Sequence, residues 1–77
     1  MSNQWRVTFY EEGDEPLVEM MRSFADAWAV SKPYPDLDGR PWQRLEKANV
    51  EARFVAGENA IVVSRASNGT YTVIERL

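Results

Sequence analysis

Residues 60–76 read AIVVSRASNGTYTVIER, and this stretch is the clearest indication of the fold class. Two runs rich in β-branched residues flank Asn68-Gly69. Such a dipeptide favours a two-residue type I′ turn, because both turn positions need positive φ. The pattern therefore predicts a β-hairpin with strands over residues 60–67 and 70–76.

A two-residue loop also sets the register of this hairpin. Tyr71 is expected opposite Ala66, and Ile74 opposite Val63. One face is then suited to pack beneath a helix. The other mixes β-branched residues with arginines, and it is either a half-exposed contact surface or a solvated face whose arginine stems cover the Val and Ile side chains. The first face holds Val62, Ser64, Ala66, Tyr71 and Val73, and the second holds Ile61, Val63, Arg65, Thr72, Ile74 and Arg76.

Upstream of the hairpin, apolar and charged residues alternate from Val50 to Val55. This two-residue period predicts another strand, and Gly57 is expected to open the turn that follows it. Residues 50–76 together predict a three-stranded meander. A short helix is predicted before it, from Pro41 to Ala48.

The N-terminal part of the chain has two interpretations. Residues 4–10 alternate as a strand, and a turn rich in acidic residues follows. In one interpretation a helix starts at Asp14. In the other, residues 16–22 form a second strand, hairpinned to the first, and the helix starts at Ser23 with a capping-box spacing. Both predict helix from Ser23 to about Lys32.

These elements predict one α+β domain over residues 1–77. Its small antiparallel sheet consists of the C-terminal three-stranded meander plus an N-terminal strand or hairpin, packed against one amphipathic helix. The chain has no cysteine for a disulfide, so its nine aromatic residues are expected to fill much of the core.

The amino-acid composition argues against several classes of function for this chain. The chain contains no histidine and no cysteine, which removes the commonest general base, the thiol nucleophile and the usual zinc ligands. We therefore expect a protein that is not an enzyme and that holds no cofactor and no metal. The net charge of −3 is uneven: residues 1–38 carry −5 and residues 39–77 carry +2. This asymmetry favours a basic protein surface as partner and disfavours direct binding of nucleic acid or membrane.

Two segments are candidate partner-binding sites. The first is an acidic run with four carboxylates in five residues, which can dock a basic groove or can simply be a solvated turn. The second is a proline-framed central loop that carries two aromatic and two acidic residues. Its aromatics suit an interface hot spot, and they suit equally well the lid of a small core. The predicted site residues are Glu11, Glu12, Asp14 and Glu15 in the run, and Tyr34, Asp36, Asp38 and Trp42 in the loop.

The order of these segments along the chain resembles that of a known group of small proteins. A short strand at residues 5–10, an acidic turn, a helix start reading SFADAW at residues 23–28 and a C-terminal meander resemble small phage-encoded inhibitors, which include anti-CRISPR proteins and phage inhibitors of host RNA polymerase. The resemblance implies a compact protein that binds a host nucleoprotein machine, such as a Cas effector subunit, and blocks access of nucleic acid or of another subunit.

Three functional hypotheses follow, in descending order. The first is such an inhibitor or adaptor, acting in the cytoplasm of a bacterial host, since no leader or apolar span is visible at the N-terminus or elsewhere. The second is an antitoxin-like or phage accessory protein that self-associates, as a homodimer for example, through a sheet edge or the face of Ile61, Val63 and Ile74. The third is a nucleic-acid-binding module that uses Arg40, Arg44, Arg53 and Arg65.

Overall fold

A five-stranded antiparallel sheet forms the framework of the protein. The computed structural model describes residues 4–11, 13–31, 43–66 and 69–77. Within them, the strand order is β2-β1-β5-β4-β3, so the N-terminal strand pairs with the C-terminal one. The elements are β1 (Trp5–Tyr10), β2 (Leu17–Met21), α1 (Phe24–Val30), β3 (Gln43–Arg44), α2 (Lys47–Val55), β4 (Ala60–Arg65) and β5 (Tyr71–Arg76).

The predicted α+β class with an antiparallel sheet is confirmed, and the structure selects the hairpin interpretation of the N-terminus. β1 and β2 pair with Thr8 opposite Val18. Helix α1 then begins directly after Ser23, whose hydroxyl accepts a hydrogen bond from the Asp26 backbone N–H at 3.1 Å. Ser23 follows the end of β2 by two residues, and its extended backbone makes it the N-cap of α1.

The predicted strand from Val50 to Val55 is wrong, because this segment belongs to helix α2. Val50 and Phe54 are four residues apart and both are buried, which is the spacing of one helical face. The helix ends in a Schellman motif: the Glu58 N–H donates to the Arg53 carbonyl and the Gly57 N–H to the Phe54 carbonyl. Gly57 has a φ of 111°, so it terminates a helix where a turn between strands was expected.

The same finding removes the predicted three-stranded meander, and of the short helix predicted over residues 41–48 only Lys47 and Ala48 are helical among the described residues. Gln43 and Arg44 form strand β3, which pairs with β4, and the helix begins only at Lys47. The C-terminal part of the sheet is therefore the β4–β5 hairpin with a two-residue strand at its outer edge. Two helices pack on the sheet where one was expected.

The hairpin itself is confirmed, but its predicted register is wrong. Tyr71 pairs with Arg65, because the Ala66 N–H donates to the Thr70 carbonyl and a three-residue loop separates these two residues; Ile74 pairs with Ile61 after a further shift. The Gly69 N–H donates to the Ala66 carbonyl at 3.2 Å, and Gly69 takes the positive φ of 92° expected at the third position of such a loop. A bulge between Val62 and Ser64 shifts the register once more.

The helices pack on the opposite hairpin face from the one that was predicted. Ile61, Val63 and Ile74 are buried in the core with Val7, so their face lies beneath the helices. Trp5 lies on this face as well: its ring centroid is 5.5 Å from that of Phe24 in α1 and 5.0 Å from that of Phe54 in α2. Both helices therefore cover one side of the sheet. We call this side the core face.

An ion pair joins Arg53 in α2 to Glu58 in the segment between α2 and β4. Arg53 Nε donates to Glu58 Oε2 at 2.6 Å, and this hydrogen bond holds the pKa of Glu58 below its usual value of 4.5. Since the pKa is lower in the folded state, the pair stabilises the protein above pH 4.5, and that contribution is lost as the pH falls through the folded-state value. We expect the melting temperature of the wild type to fall more steeply on acidification than that of Glu58→Gln, with the difference confined to acidic pH. Parallel pH titrations of both melting temperatures check this, and parallel curves would contradict it.

Candidate protein-binding surface

The predicted acidic run forms the turn between β1 and β2. The Asp14 N–H donates to the Glu11 carbonyl at 3.2 Å, which closes a β-turn. Gly13 has a φ of 85°, the conformation required at the third position of a type II turn. A glycine in this place therefore lets the chain reverse within four residues. The side chains of Glu11, Asp14 and Glu15 point outward as a result, and all three residues are exposed.

None of these three carboxylates has an ion-pair partner among the residues that the structure describes. The ion pairs found there join Arg6 to Glu75 and Arg53 to Glu58, at other places on the surface. Three unpaired like charges on one short turn produce a local negative potential that attracts cationic groups from outside. We use the name acidic turn for Glu11, Asp14 and Glu15. The fourth predicted member, Glu12, lies outside the described residues.

The central-loop candidates cannot be placed in the same way. Tyr34, Asp36, Asp38 and Trp42 all lie outside the described residues, so their role stays a prediction.

Two tyrosines next to the acidic turn were not among the predicted site residues. Tyr10, at the end of β1, lies opposite Tyr71 at the start of β5. Their ring centroids are 4.6 Å apart and the planes are nearly parallel, at 16°. The guanidinium of Arg65 lies 6.0 Å from the Tyr71 ring, on the far side of the pair. The alternation of residues 4–10 places Tyr10 away from Trp5, but no local signal indicates that β1 pairs with β5.

The tyrosine pair belongs to the side of the sheet that faces away from both helices, which we call the open face. Residues directly opposite one another on neighbouring strands share a face, so the register defines its members. They form three rows across the strands. The rows are Met20, Arg6, Glu75 and Ala60; then Val18, Thr8, Val73 and Val62; then Tyr10, Tyr71, Arg65 and Gln43.

The middle row of the open face is β-branched throughout. Val18, Thr8, Val73 and Val62 form a strip across four strands. Thr8 is buried, and Val18 at the edge is 49% exposed. Since strand β2 lies at the edge of the sheet, its outer backbone groups and the side chains of Leu17, Val18 and Met20 are accessible.

The arginines proposed for a nucleic-acid interface are dispersed. Arg44 lies half-buried beneath the helices, with its guanidinium 4.2 Å from the Trp28 ring. Arg53 is held by Glu58, and Arg65 lies beside Tyr71 on the open face. Arg40 lies outside the described residues. The three described arginines thus occupy separate surfaces and form no continuous basic stripe, the arrangement that nucleic-acid binding favours.

No family model, no curated protein and no solved structure matches this chain. Within the described ranges, none of the helices is long and apolar enough to cross a bilayer. In the same part of the chain, no group of three or more acidic side chains is arranged to hold a metal ion.

Proposed function

We propose that this protein is a non-enzymatic binding protein that docks on a basic surface of a partner protein. The observation that carries the proposal is the acidic turn, whose three exposed carboxylates have no ionic partner among the described residues. A surface that binds nucleic acid carries clustered Lys and Arg, because these side chains neutralise the phosphates. The acidic turn would take the place of phosphates on such a surface and exclude the nucleic acid.

The neighbouring aromatic pair supports the same use of this corner of the molecule. Tyr10 directly precedes Glu11 and is stacked on Tyr71. Aromatic rings next to carboxylates suit Arg and Lys side chains, because the ring contacts the cation or its aliphatic stem while the carboxylate pairs with the charge. Tyrosine is also enriched at the centres of protein interfaces.

An inhibitor of a host nucleoprotein complex fits this mode of binding. The resemblance to phage-encoded inhibitors favours a Cas effector subunit as target, which would make the protein an anti-CRISPR acting in the bacterial cytoplasm. The absence of His and Cys from the chain agrees with inhibition by occupation of a surface rather than by chemistry.

The test is affinity capture from a bacterial lysate at low salt, with identification by mass spectrometry. We expect the wild type to retain a basic nucleic-acid-binding protein, and the variant Glu11→Lys/Asp14→Lys/Glu15→Lys to bind the purified partner about tenfold or more weakly, because the interaction is electrostatic. Added salt should weaken the wild-type complex in the same direction.

A matched control separates a local effect from net charge. Asp26→Lys/Glu46→Lys/Glu51→Lys changes three exposed acids of the helical segments and produces the same net charge. It should retain the partner. Equal loss of binding in both variants, or full binding by the acidic-turn variant, would contradict the proposed site.

A further inference from the structure

The open face carries β-branched and aromatic residues, and no helix in the described part of the chain packs over it. Both helices contribute to the core through Ala27, Val50 and Phe54, all on the opposite side of the sheet. The middle row of the open face therefore presents Val73 and Val62 between the half-exposed rows on either side. A β-branched strip of this kind on a sheet is the surface that sheet-on-sheet packing buries.

We propose that the open face is the interface of a homodimer, in which a second copy of this chain packs sheet against sheet. The available area fits such a dimer. The strands contain six, five, two, six and six residues, and at about 3.4 Å per residue and about 4.8 Å between strands they give a footprint of roughly 400 Å². Side-chain relief raises the buried area to roughly 500 Å² per copy, about 1,000 Å² in total, which is the size of a weak interface. The dimer is therefore expected to dissociate on dilution.

The charges of the open face favour a second copy over a strongly charged partner. Arg6 Nη2 lies 2.8 Å from Glu75 Oε2, and Arg6 Nε donates to the other carboxylate oxygen at 3.2 Å. These two charges neutralise each other within one row. Arg65, at the far edge, leaves the face close to neutral. Two copies can consequently approach without the repulsion that a surface of one sign would produce.

The rows also match one another in a two-fold arrangement. The ion-pair row of Arg6 and Glu75 and the tyrosine row of Tyr10 and Tyr71 lie at equal distances on either side of the middle row. A two-fold axis along the middle row places the tyrosine row of each copy over the ion pair of the other. The tyrosine hydroxyls then meet a carboxylate that still has lone pairs to accept hydrogen bonds. In this arrangement the middle rows of the two copies pack against each other, and the acidic turns project at opposite ends.

The dimer goes beyond the proposed function: the acidic turn stays accessible in it, whereas the pair of Tyr10 and Tyr71 is open to a basic partner only in the monomer. Two neighbouring residues of β2 provide the test. Val18 is 49% exposed and lies on the open face, whereas Leu17 is 57% exposed and lies on the core-face side. A lysine at position 18 would be buried against the second copy, and a lysine at position 17 would stay in solvent.

Sedimentation equilibrium over a dilution series measures the association. We expect a reversible dimer for the wild type. The dissociation constant should be about tenfold or more larger for Val18→Lys, and within about twofold of the wild-type value for Leu17→Lys. Far-UV circular dichroism and melting curves establish that both variants fold. A wild type that stays monomeric at every concentration, or equal weakening by both substitutions, overturns the proposal. The acidic-turn variant should still dimerise, so failure of the proposed function and failure of the dimer give different results.

Discussion

Phe54→Ala is expected to lower the free energy of unfolding by about 3–5 kcal/mol. The Phe54 ring is 3% exposed and joins the two helices to the sheet. Its centroid is 5.0 Å from that of Trp5 in β1 and 5.9 Å from that of Phe24 in α1. Truncation would leave a cavity between three elements and remove two edge-to-face aromatic contacts. Because a domain of this size has little stability to lose, much of the population should unfold at physiological temperature.

Chemical denaturation monitored by tryptophan fluorescence and circular dichroism measures this loss. Val55→Ala is the matched control, since Val55 is the next residue in the same helix and is 82% exposed. Its substitution should change the free energy of unfolding by less than about 0.5 kcal/mol. Similar losses in the two variants would show that Phe54 is not the residue that connects the helices to the core.

Ala52→Pro is expected to cost about 3 kcal/mol or more, because it places proline in the interior of α2. Ala52 is exposed, so no buried contact is lost and the cost comes from the backbone. Proline would remove the N–H of residue 52 and its ring would clash with the carbonyl four residues earlier. The Ala56 N–H donates to the Ala52 carbonyl at 2.9 Å, and this last turn of the helix would be distorted as well.

Lys47→Pro tests the same helix at its first residue, where proline is compatible. The N–H of residue 47 has no partner within the helix, and Glu46 already has the extended conformation, with ψ of 141°, that a residue before proline prefers. We expect its free energy of unfolding to stay within about 1 kcal/mol of the wild type. The opposite ranking of the two proline variants would contradict the helical assignment of residues 47–55.

The two proposed surfaces have a joint consequence for function. A dimer through the open face carries two acidic turns, at opposite ends of the assembly. A partner with repeated basic sites would then be bound at two points, and the second contact would form at high effective concentration. Loss of dimerisation in Val18→Lys should therefore weaken binding to a repetitive target more than binding to a single subunit.

Short-range features account for the parts of the fold that were predicted. Asn68 and Gly69 mark the β4–β5 hairpin, and the pattern of residues 4–22 includes the β1–β2 hairpin as one of two interpretations. Ser23 marks the start of α1, because its hydroxyl accepts a hydrogen bond from an N–H only three residues further along the chain. Each of these signals acts within about one turn of chain, so neighbouring residues are sufficient to specify it.

Residues 50–55 were predicted incorrectly as a strand, because their sequence is compatible with both the two-residue period of a strand and the period of a helix. Val50, Ala52 and Phe54 alternate like a strand, while Val50 and Phe54 alone are spaced like a helix. The contacts of Phe54 with Trp5 and Phe24 favour the helix, and these partners lie 49 and 30 positions away in the chain. The burial of such a ring against distant residues outweighs a local preference of a few tenths of a kcal/mol per residue.

The candidate surface also has one part that neighbouring residues specify and one part that depends on long-range pairing. The acidic turn can be recognised from residues 11–15 alone, since charge and turn chemistry are properties of adjacent residues. The open face cannot, because it depends on the pairing of β1 with β5, which joins Tyr10 to Tyr71 across most of the chain. The residues of a strand do not by themselves specify which strand will pair with it. A shift of one residue in register moves every side chain to the other face of the sheet. Local chemistry therefore specifies the elements and the charged turn, whereas long-range pairing and packing select the strand order, the second helix and the face that is left uncovered.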